Sequence, residues 1–332
     1  MSLQQSIRER LTLPAVVTPM LLCTGPALAA ESRKAGIVGS LTANHCRDLE
    51  ELEAQLKTVS EDVARFADAH PDRTIGPFAL NIEPGLDDEA MRKRMVLSRR
   101  YGVDIIITAV GNPIDQARYI RDAGLIHFHD ATSLRFAEKA IAAGVDGVVA
   151  IGAGGGGHSG TVSHLALIPR IRAMFDGTII AAGAITTGAN IRAAEVLGAD
   201  LAYLGTRFIA TQESIAPDQY KAMLVSGTVT DLIYTNGVNG MPANWLKESI
   251  RAHGLDPDNL PKPQGRGTAH LPPGIFPWKN VWSGGQGISL IDEVLPVAEL
   301  VRQLQREYVA ACAIPDMAQA ASAALAKDGE HV

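Results

Sequence analysis

Short apolar runs alternate with longer amphipathic stretches through the first two-thirds of the chain. Such runs are typical of strands buried on both faces, whereas apolar positions spaced three or four residues apart are typical of helices. The apolar runs predict strands at residues 15–18, 37–41, 78–82, 105–109, 125–129, 145–151, 178–182 and 201–204. The stretches between them predict helices at residues 27–35, 49–70, 87–101, 113–123, 133–143, 165–175 and 188–197.

This alternation predicts an α/β protein with the architecture of a (β/α)8 TIM barrel, which requires eight strands with helices between them. A doubly wound open sheet is the alternative. Candidate site residues follow many different strands, and this favours closure, because the active site of such a barrel collects at the carboxyl ends of all its strands.

The regular alternation stops after residue 214. Scattered Pro, Gly and Asn among short helical pieces at 215–275 predict a smaller, mainly helical domain that forms a lid on the barrel mouth. Residues 276–287 are expected to return to the barrel as a loop, and residues 291–312 form an amphipathic helix. We therefore divide the chain into a barrel at 1–214, a lid at 215–275 and a closing segment at 276–332.

Composition narrows the possible partners and the compartment. The 332-residue chain is 46% hydrophobic and has a net charge of −6 without a dense Lys/Arg patch, which argues against a nucleic-acid partner. Three cysteines without CxxC spacing predict a reducing, cytoplasmic location. Residues 11–30 resemble a signal peptide, but prolines and a glycine interrupt them, and we interpret them as a strand and its loop. No uninterrupted run of 18 apolar residues predicts a membrane span.

Five glycines occur in six positions directly after the predicted strand at 145–151, and His158 follows them. Glycine is costly in backbone entropy, so a cluster of this kind indicates a tight turn or a backbone that lies against a ligand. A flat ring or a phosphate would suit such a loop, with His158 at the rim of the pocket. A flexible loop with a solvated histidine is the alternative.

Two later loops predict a phosphate site. Gly183 and Ala184 follow the seventh predicted strand, and Gly205 and Thr206 follow the eighth. Backbone amides in these loops of a barrel commonly bind phosphate, and Thr206 adds a hydroxyl group. The chain has no Walker A motif, so the loops indicate a phosphorylated substrate or flavin mononucleotide (FMN).

His127 and His129 lie two residues apart, so both face the same side of a strand. With Asp130 and His158 they suggest a metal site, but no satisfactory ligand set can be assembled and we predict none. The alternative places one histidine inside the barrel and His129 at the rim, near a cofactor.

Seven elements together resemble the nitronate monooxygenase family, formerly called 2-nitropropane dioxygenases. The Gly-Gly-His-x-Gly and Gly-Thr-Arg-Phe elements are the most specific, and the resemblance extends over about residues 12–310. The elements are Thr18-Pro19-Met20, Asn81, Phe128-His129-Asp130, Gly155-Gly156-Gly157-His158-Ser159-Gly160, Ala182-Gly183-Ala184, Gly205-Thr206-Arg207-Phe208 and Trp282-Ser283-Gly284-Gly285-Gln286.

The resemblance implies an FMN-binding barrel that oxidises alkyl nitronates with O2 and uses no metal. It makes His158 the active-site histidine, acting as a base or as a partner for an anion. The cofactor-binding positions that it implies are Thr18, Pro19, Met20, Asn81, His129, Gly156, Gly157, Gly183, Ala184, Gly205, Thr206, Gly285 and Gln286. Two departures are Ala184, where the family has a second glycine, and the opening loop Thr-Pro-Met-Leu-Leu, which leaves the substrate open.

Other functions remain open at this point. Related flavin barrels reduce quinones or enoyl thioesters with NAD(P)H, and the sequence has no feature that decides nicotinamide use. A metal-dependent barrel hydrolase using His127, His129 and His158 is the third alternative. The expected partners are a small electron donor and O2, with neither nucleic acid nor membrane, and a homodimer is a candidate assembly.

Overall fold

The computed structural model describes residues 3–314, 317–318 and 321–322. Most of the last twenty residues, 313–332, lie outside the described residues. The strands are β1 (Ala15–Val17), β2 (Gly39–Thr42), β3 (Phe78–Ile82), β4 (Ile105–Thr108), β5 (Ile126–Ala131), β6 (Gly147–Ile151), β7 (Gly157–His158), β8 (Thr178–Ala182), β9 (Leu201–Leu204), β10 (Leu232–Thr235) and β11 (Ala243–Leu246).

The helices lie between and after the strands. They are α1 (Gln5–Arg8), α2 (Pro26–Lys34), α3 (Leu49–Ala69), α4 (Asp88–Arg100), α5 (Ile114–Asp122), α6 (Leu134–Ala142), α7 (His164–Arg172), α8 (Gly188–Val196), α9 (Thr206–Ile209), α10 (Asp218–Ser226), α11 (Lys247–Arg251) and α12 (Val297–Cys312). Short 3-10 turns lie at Ala43–His45, Val229–Asp231, Pro257–Asn259 and Gln286–Leu290.

Eight parallel strands form one sheet in the order β1-β9-β8-β6-β5-β4-β3-β2. The two ends of this order also meet, because Val17 N donates to Val38 O and Val38 N donates to Ala15 O, each at 3.0 Å. The sheet is therefore closed, and the predicted (β/α)8 barrel is confirmed. The eight strands predicted from the apolar runs correspond to the barrel strands.

Alternate residues of each strand fill the barrel interior. Val16, Ile107, Phe128 and Val149 belong to this inner cluster, and Leu3 and Ile7 of the N-terminal segment join it at the opposite end from the strand carboxyl ends. The residues that alternate with them pack against the surrounding helices. The barrel is thus a filled core, and a ligand can enter only at the mouth.

The helices that follow β5, β7 and β8 satisfy their first N–H groups with their own capping residues. The hydroxyl groups of Ser133, Ser163 and Thr187 accept from backbone N–H groups of α6, α7 and α8 respectively. Asn190 completes a capping box at α8. By contrast, α9, which follows β9, has no side-chain cap at Gly205.

A second sheet joins the glycine loop to the predicted lid. It has the order β10-β11-β7, and both pairs are antiparallel. His158 pairs with Ala243, and Gly157 pairs with Asn244. Residues 215–275 contain the helices α10 and α11, of nine and five residues, and two strands that the sequence did not indicate. The division of the chain at 214 and 275 stays a prediction.

The closing segment returns to the barrel. Residues 285 and 286 contact the glycine loop, and α12 packs on α8, where Gly188 N donates to Glu307 Oε2 at 2.7 Å. A Cβ on Gly188 would lie 2.1 Å from Leu304 O, so only glycine permits this approach. Among the described residues, every helix is too short or too polar to cross a bilayer.

Candidate active site

A cavity of about 730 Å3 opens at the carboxyl ends of the barrel strands. The predicted site residues that border it are Thr18, Pro19, Met20, Asn81, His129, Gly156, Gly157, His158, Gly183, Ala184, Gly205, Thr206 and Gly285. The structure therefore brings together side chains and backbone from segments far apart in sequence. Gln286 is the exception, because its side chain is exposed, while its backbone N donates to Gly154 O at 2.8 Å.

Three segments meet so closely at the glycine loop that no side chain fits between them. Thr206 Oγ1 accepts a hydrogen bond from Gly285 N at 2.9 Å. A Cβ on Gly156 would lie 2.9 Å from Gly285 N and 3.1 Å from Thr206 Oγ1. This cradle of glycine backbone can approach a flat ligand or a phosphate more closely than any substituted backbone could.

The loop after β8 contains the departure noted in the sequence. Ala184 has φ +55°, a left-handed conformation that glycine adopts without penalty and that costs an alanine about 1 kcal/mol. Gly183 precedes it with φ +115°. The loop keeps its shape despite the side chain, so its backbone amides remain available at the cavity wall.

The His158 ring is held at the cavity by two neighbouring side chains. Its Nε2 accepts a hydrogen bond from Asn239 Nδ2 at 3.2 Å, and Asn239 Oδ1 in turn accepts from Met241 N at 3.1 Å, which fixes the orientation of the amide. The Trp278 ring meets the imidazole edge-on, with 5.2 Å between ring centroids. Because Nε2 accepts a hydrogen bond, the neutral ring carries its proton on Nδ1.

Burial lowers the pKa of His158, and the positive charge of Arg266 lowers it further. Arg266 also borders the cavity, as does Lys139 of α6. Within the part of the chain that the structure describes, neither cation has an ion-pair partner. The site therefore combines a neutral histidine with two cations available to an anionic ligand.

His127 and His129 share one partner. Thr108 Oγ1 lies 2.7 Å from His127 Nε2 and 2.7 Å from His129 Nδ1. Burial lowers the pKa of His127 to about 3 and that of His129 to about 4, so both rings are neutral at pH 7. Neither ring packs inside the barrel, because β5 turns Phe128 inward and the histidines toward Thr108 on the other face.

The arrangement of His127 and His129 does not resemble a metal-binding site. One nitrogen of each ring already contacts the hydroxyl group of Thr108. Over the described ranges, no group of three or more His, Cys, Asp or Glu side chains could hold an ion.

Asparagine side chains organise the cavity walls, and the sequence indicated only one of them. Asn81 Oδ1 accepts from Thr42 Oγ1 and from Asn44 Nδ2, both at 2.9 Å. Asn244 Nδ2 donates to Gly155 O at 2.7 Å, which anchors the glycine loop to β11. Asn239 and Asn244 were missed, because their function depends on the pairing of β7 with β11 and has no local sequence signal beyond the Asn-Gly turns nearby.

A closed α/β barrel with a glycine cradle and a histidine at its mouth defines a class of small-ligand enzymes. The nitronate monooxygenase family model matches residues 8–307, so the chain belongs to this family. The family predicted from the sequence is thereby confirmed.

Individual relatives are more distant. The chain is 29% identical to a nitronate monooxygenase of Paraburkholderia phytofirmans, over 89% of this chain and 92% of that protein. It is also 29% identical to a Rhodococcus jostii protein named (3aS,4S,5R,7aS)-5-hydroxy-7a-methyl-1-oxo-octahydro-1H-indene-4-carboxyl-CoA dehydrogenase. That match covers 71% of this chain and 63% of the dehydrogenase, so the chain spans less than two thirds of this relative's length.

The nitroalkane oxidase structure from Streptomyces ansochromogenes superposes with a TM-score of 0.71 at 23% identity. The superposition covers 93% of this chain and 99% of that one. At this level of identity the similarity supports the barrel fold.

Replacing Asn239 with aspartate tests how His158 is held. The carboxylate accepts a hydrogen bond where the amide donated one, so we expect the pKa of His158 to rise and its neutral ring to carry the proton on Nε2. Histidine NMR over a pH titration measures both changes, and the His158→Gln spectrum identifies the signals. Asn239→Leu, which removes the donor without adding charge, should raise the pKa by less. An unchanged titration in Asn239→Asp would show that this side chain does not contact the ring.

Proposed function

We propose that the protein is a flavin-dependent oxidoreductase that binds FMN and oxidises alkyl nitronates with O2. The observation that carries this proposal is the glycine cradle of Gly156, Gly285 and Thr206 beside His158, in a chain that belongs to the nitronate monooxygenase family. When bound, the flavin would take electrons from the nitronate carbon and pass them to O2.

The described residues fit FMN at both ends of the molecule. The amides after β8 and β9, at Gly183, Ala184, Gly205 and Thr206, would hold the phosphate. Gly156, Gly157 and Gly285 border the cavity and would supply backbone without side chains beside the ring. The remaining cofactor positions that border the cavity are Thr18, Pro19, Met20, Asn81 and His129.

Toward a neutral nitroalkane, His158 would act as a neutral base that removes the α proton and so gives the nitronate. Its lowered pKa disfavours a cationic ring, so the role of base is favoured over that of anion partner. Arg266 and Lys139 border the same cavity and can attract the negative charge of a nitronate. His158 Nε2, the ring nitrogen without a proton, would accept the proton, and the two cations would bind the anion.

An anaerobic titration of the FMN-loaded protein with propyl-2-nitronate tests this function. We expect the flavin absorbance to bleach and to return when O2 is admitted. Parallel cuvettes with NADH and NADPH test the reductase alternative. Bleaching by NADH alone contradicts the proposal, and a protein that binds no FMN contradicts every flavin-dependent function.

A dehydrogenase acting on a CoA thioester is a second candidate. The Rhodococcus jostii relative is named as such an enzyme, and CoA carries phosphates that Lys139 and Arg266 could bind at the cavity edge. A further anaerobic cuvette with a hydroxyacyl-CoA thioester would bleach the flavin under this function and leave it oxidised under the first.

Replacing His158 with asparagine removes the group that can take a proton while keeping a small polar side chain. We expect FMN to stay bound and turnover of a nitroalkane to fall by about a hundredfold or more, a typical contribution of acid–base catalysis. Steady-state O2 consumption and the flavin spectrum measure the two effects. The same substitution at exposed His70, far from the cavity, serves as the control. Full turnover in His158→Asn would remove this residue from the mechanism.

Gly156→Ala tests the cradle. The added methyl group would lie 2.9 Å from Gly285 N and must displace the closing loop, so we expect FMN affinity to fall at least about tenfold. Quenching of FMN fluorescence on binding measures the affinity. Gly265→Ala is the control, because a Cβ there meets no atom within 4 Å. Equal affinities in the two variants would place the flavin elsewhere.

A further inference from the structure

Two polar side chains at the floor of the cavity take no part in the function proposed above. Asp130 lies on β5 and Tyr203 on β9, and both border the cavity. Tyr203 belongs to the inner cluster of the barrel together with Phe128, which lies two residues before Asp130 and faces the same way. Both side chains therefore rise from the filled interior toward the ligand space.

Each of these side chains carries a buried polar atom without a partner. Asp130 Oδ1 and Tyr203 Oη are sealed from solvent, and neither makes a hydrogen bond among the described residues. Tyr203 is 6% exposed, whereas Asp130 keeps some accessible surface where it borders the cavity. A buried polar group left unpaired is costly, so each of these two oxygens is expected to have a partner in the working protein, either a ligand or a water molecule.

The surroundings favour the protonated form of both groups. Burial raises the pKa of Asp130 to about 7, and burial together with the charge of Asp130 raises the pKa of Tyr203. The strands on either side of β5, β4 and β6, carry no titratable residue, and α5 and α6 pack on the opposite face of β5. The other titratable side chains that border the cavity are Cys23, His129, Lys139, His158, Tyr220 and Arg266.

We propose that Asp130 and Tyr203 bind the isoalloxazine ring of the flavin by hydrogen bonds, and that Asp130 holds an exchangeable proton against it. This inference rests on the proposed binding of FMN. The ring has carbonyl oxygens and ring nitrogens along one edge that accept hydrogen bonds from the O–H groups of a carboxylic acid and a phenol. A small nitronate, by contrast, would meet the cations and His158 at the mouth.

Reduction of the flavin then engages Asp130. Two electrons enter the ring, and negative charge on the reduced flavin favours the protonated form of the adjacent acid. Above its pKa in the oxidised protein, the Asp130 carboxylate must take up one proton from solvent for each pair of electrons. Reduction therefore becomes harder with rising pH by a further factor of ten per pH unit, which is about 30 mV for a two-electron couple.

The test is the midpoint potential of the FMN-loaded protein between pH 5.5 and 9, titrated with dithionite. Above about pH 7, we expect the midpoint potential of the wild type to fall with pH more steeply than that of Asp130→Asn, by about 30 mV per pH unit. The asparagine side chain cannot ionise. Tyr203→Phe should keep the steeper slope but bind FMN about fivefold more weakly, because one hydrogen bond is lost. Asp258→Asn, an exposed acid away from the cavity, is the matched control.

The outcomes separate this inference from the proposed function. Equal pH slopes of the midpoint potential in the wild type and in Asp130→Asn overturn the inference. They would point to a water molecule bound to Asp130 Oδ1 and Tyr203 Oη. If Asp130→Asn does not fold, a wild-type profile without the steeper segment overturns it equally. A steeper slope in a protein that no nitronate reduces supports the contact of Asp130 with the flavin and contradicts the nitronate function. Failure to bind FMN overturns both proposals.

Discussion

The site depends on one short backbone pairing, that of β7 with β11. Gly157 and His158 would otherwise belong to a glycine loop with no fixed conformation, and the pairing converts them into an edge of a second sheet. Asn239 and Asn244 flank the same pairing and bond to His158 and to Gly155. The position of the histidine is thus set by residues more than eighty positions later in the chain, which makes the barrel mouth and the lid a single functional unit.

Backbone strain is concentrated around the same cavity. Among the residues that the structure describes, four other than glycine have left-handed φ angles, and three of them, Val110, Ala184 and Trp278, border the cavity. A β-branched residue such as Val110 rarely adopts this conformation. Strain of this kind persists where surrounding contacts over-determine the backbone, and it commonly marks sites that hold a ligand in a fixed geometry. Trp278 illustrates the point, because its strained backbone directs the ring against His158.

The periodicity of the chain was sufficient to predict the barrel but not the details of its mouth. Buried parallel strands have an apolar pattern that local sequence carries, whereas β7 is two residues long and exists only because β11 lies beside it. A period of two correctly put His127 and His129 on one face of β5, but the sequence did not indicate which face points inward. The glycine positions were informative, because close backbone approach excludes every other residue type.

The charges of the cavity are arranged by depth. Cations without ion-pair partners among the described residues lie at its edge, a neutral histidine lies along its wall, and an acid whose pKa is raised to about 7 lies at its floor. Desolvation is the principal cause of the shifted pKa at both deeper positions, because burial disfavours the charged forms of His158 and of Asp130. An anion entering such a cavity meets attraction first and then groups that exchange protons. This order suits a substrate that arrives charged and loses electrons deeper in the site.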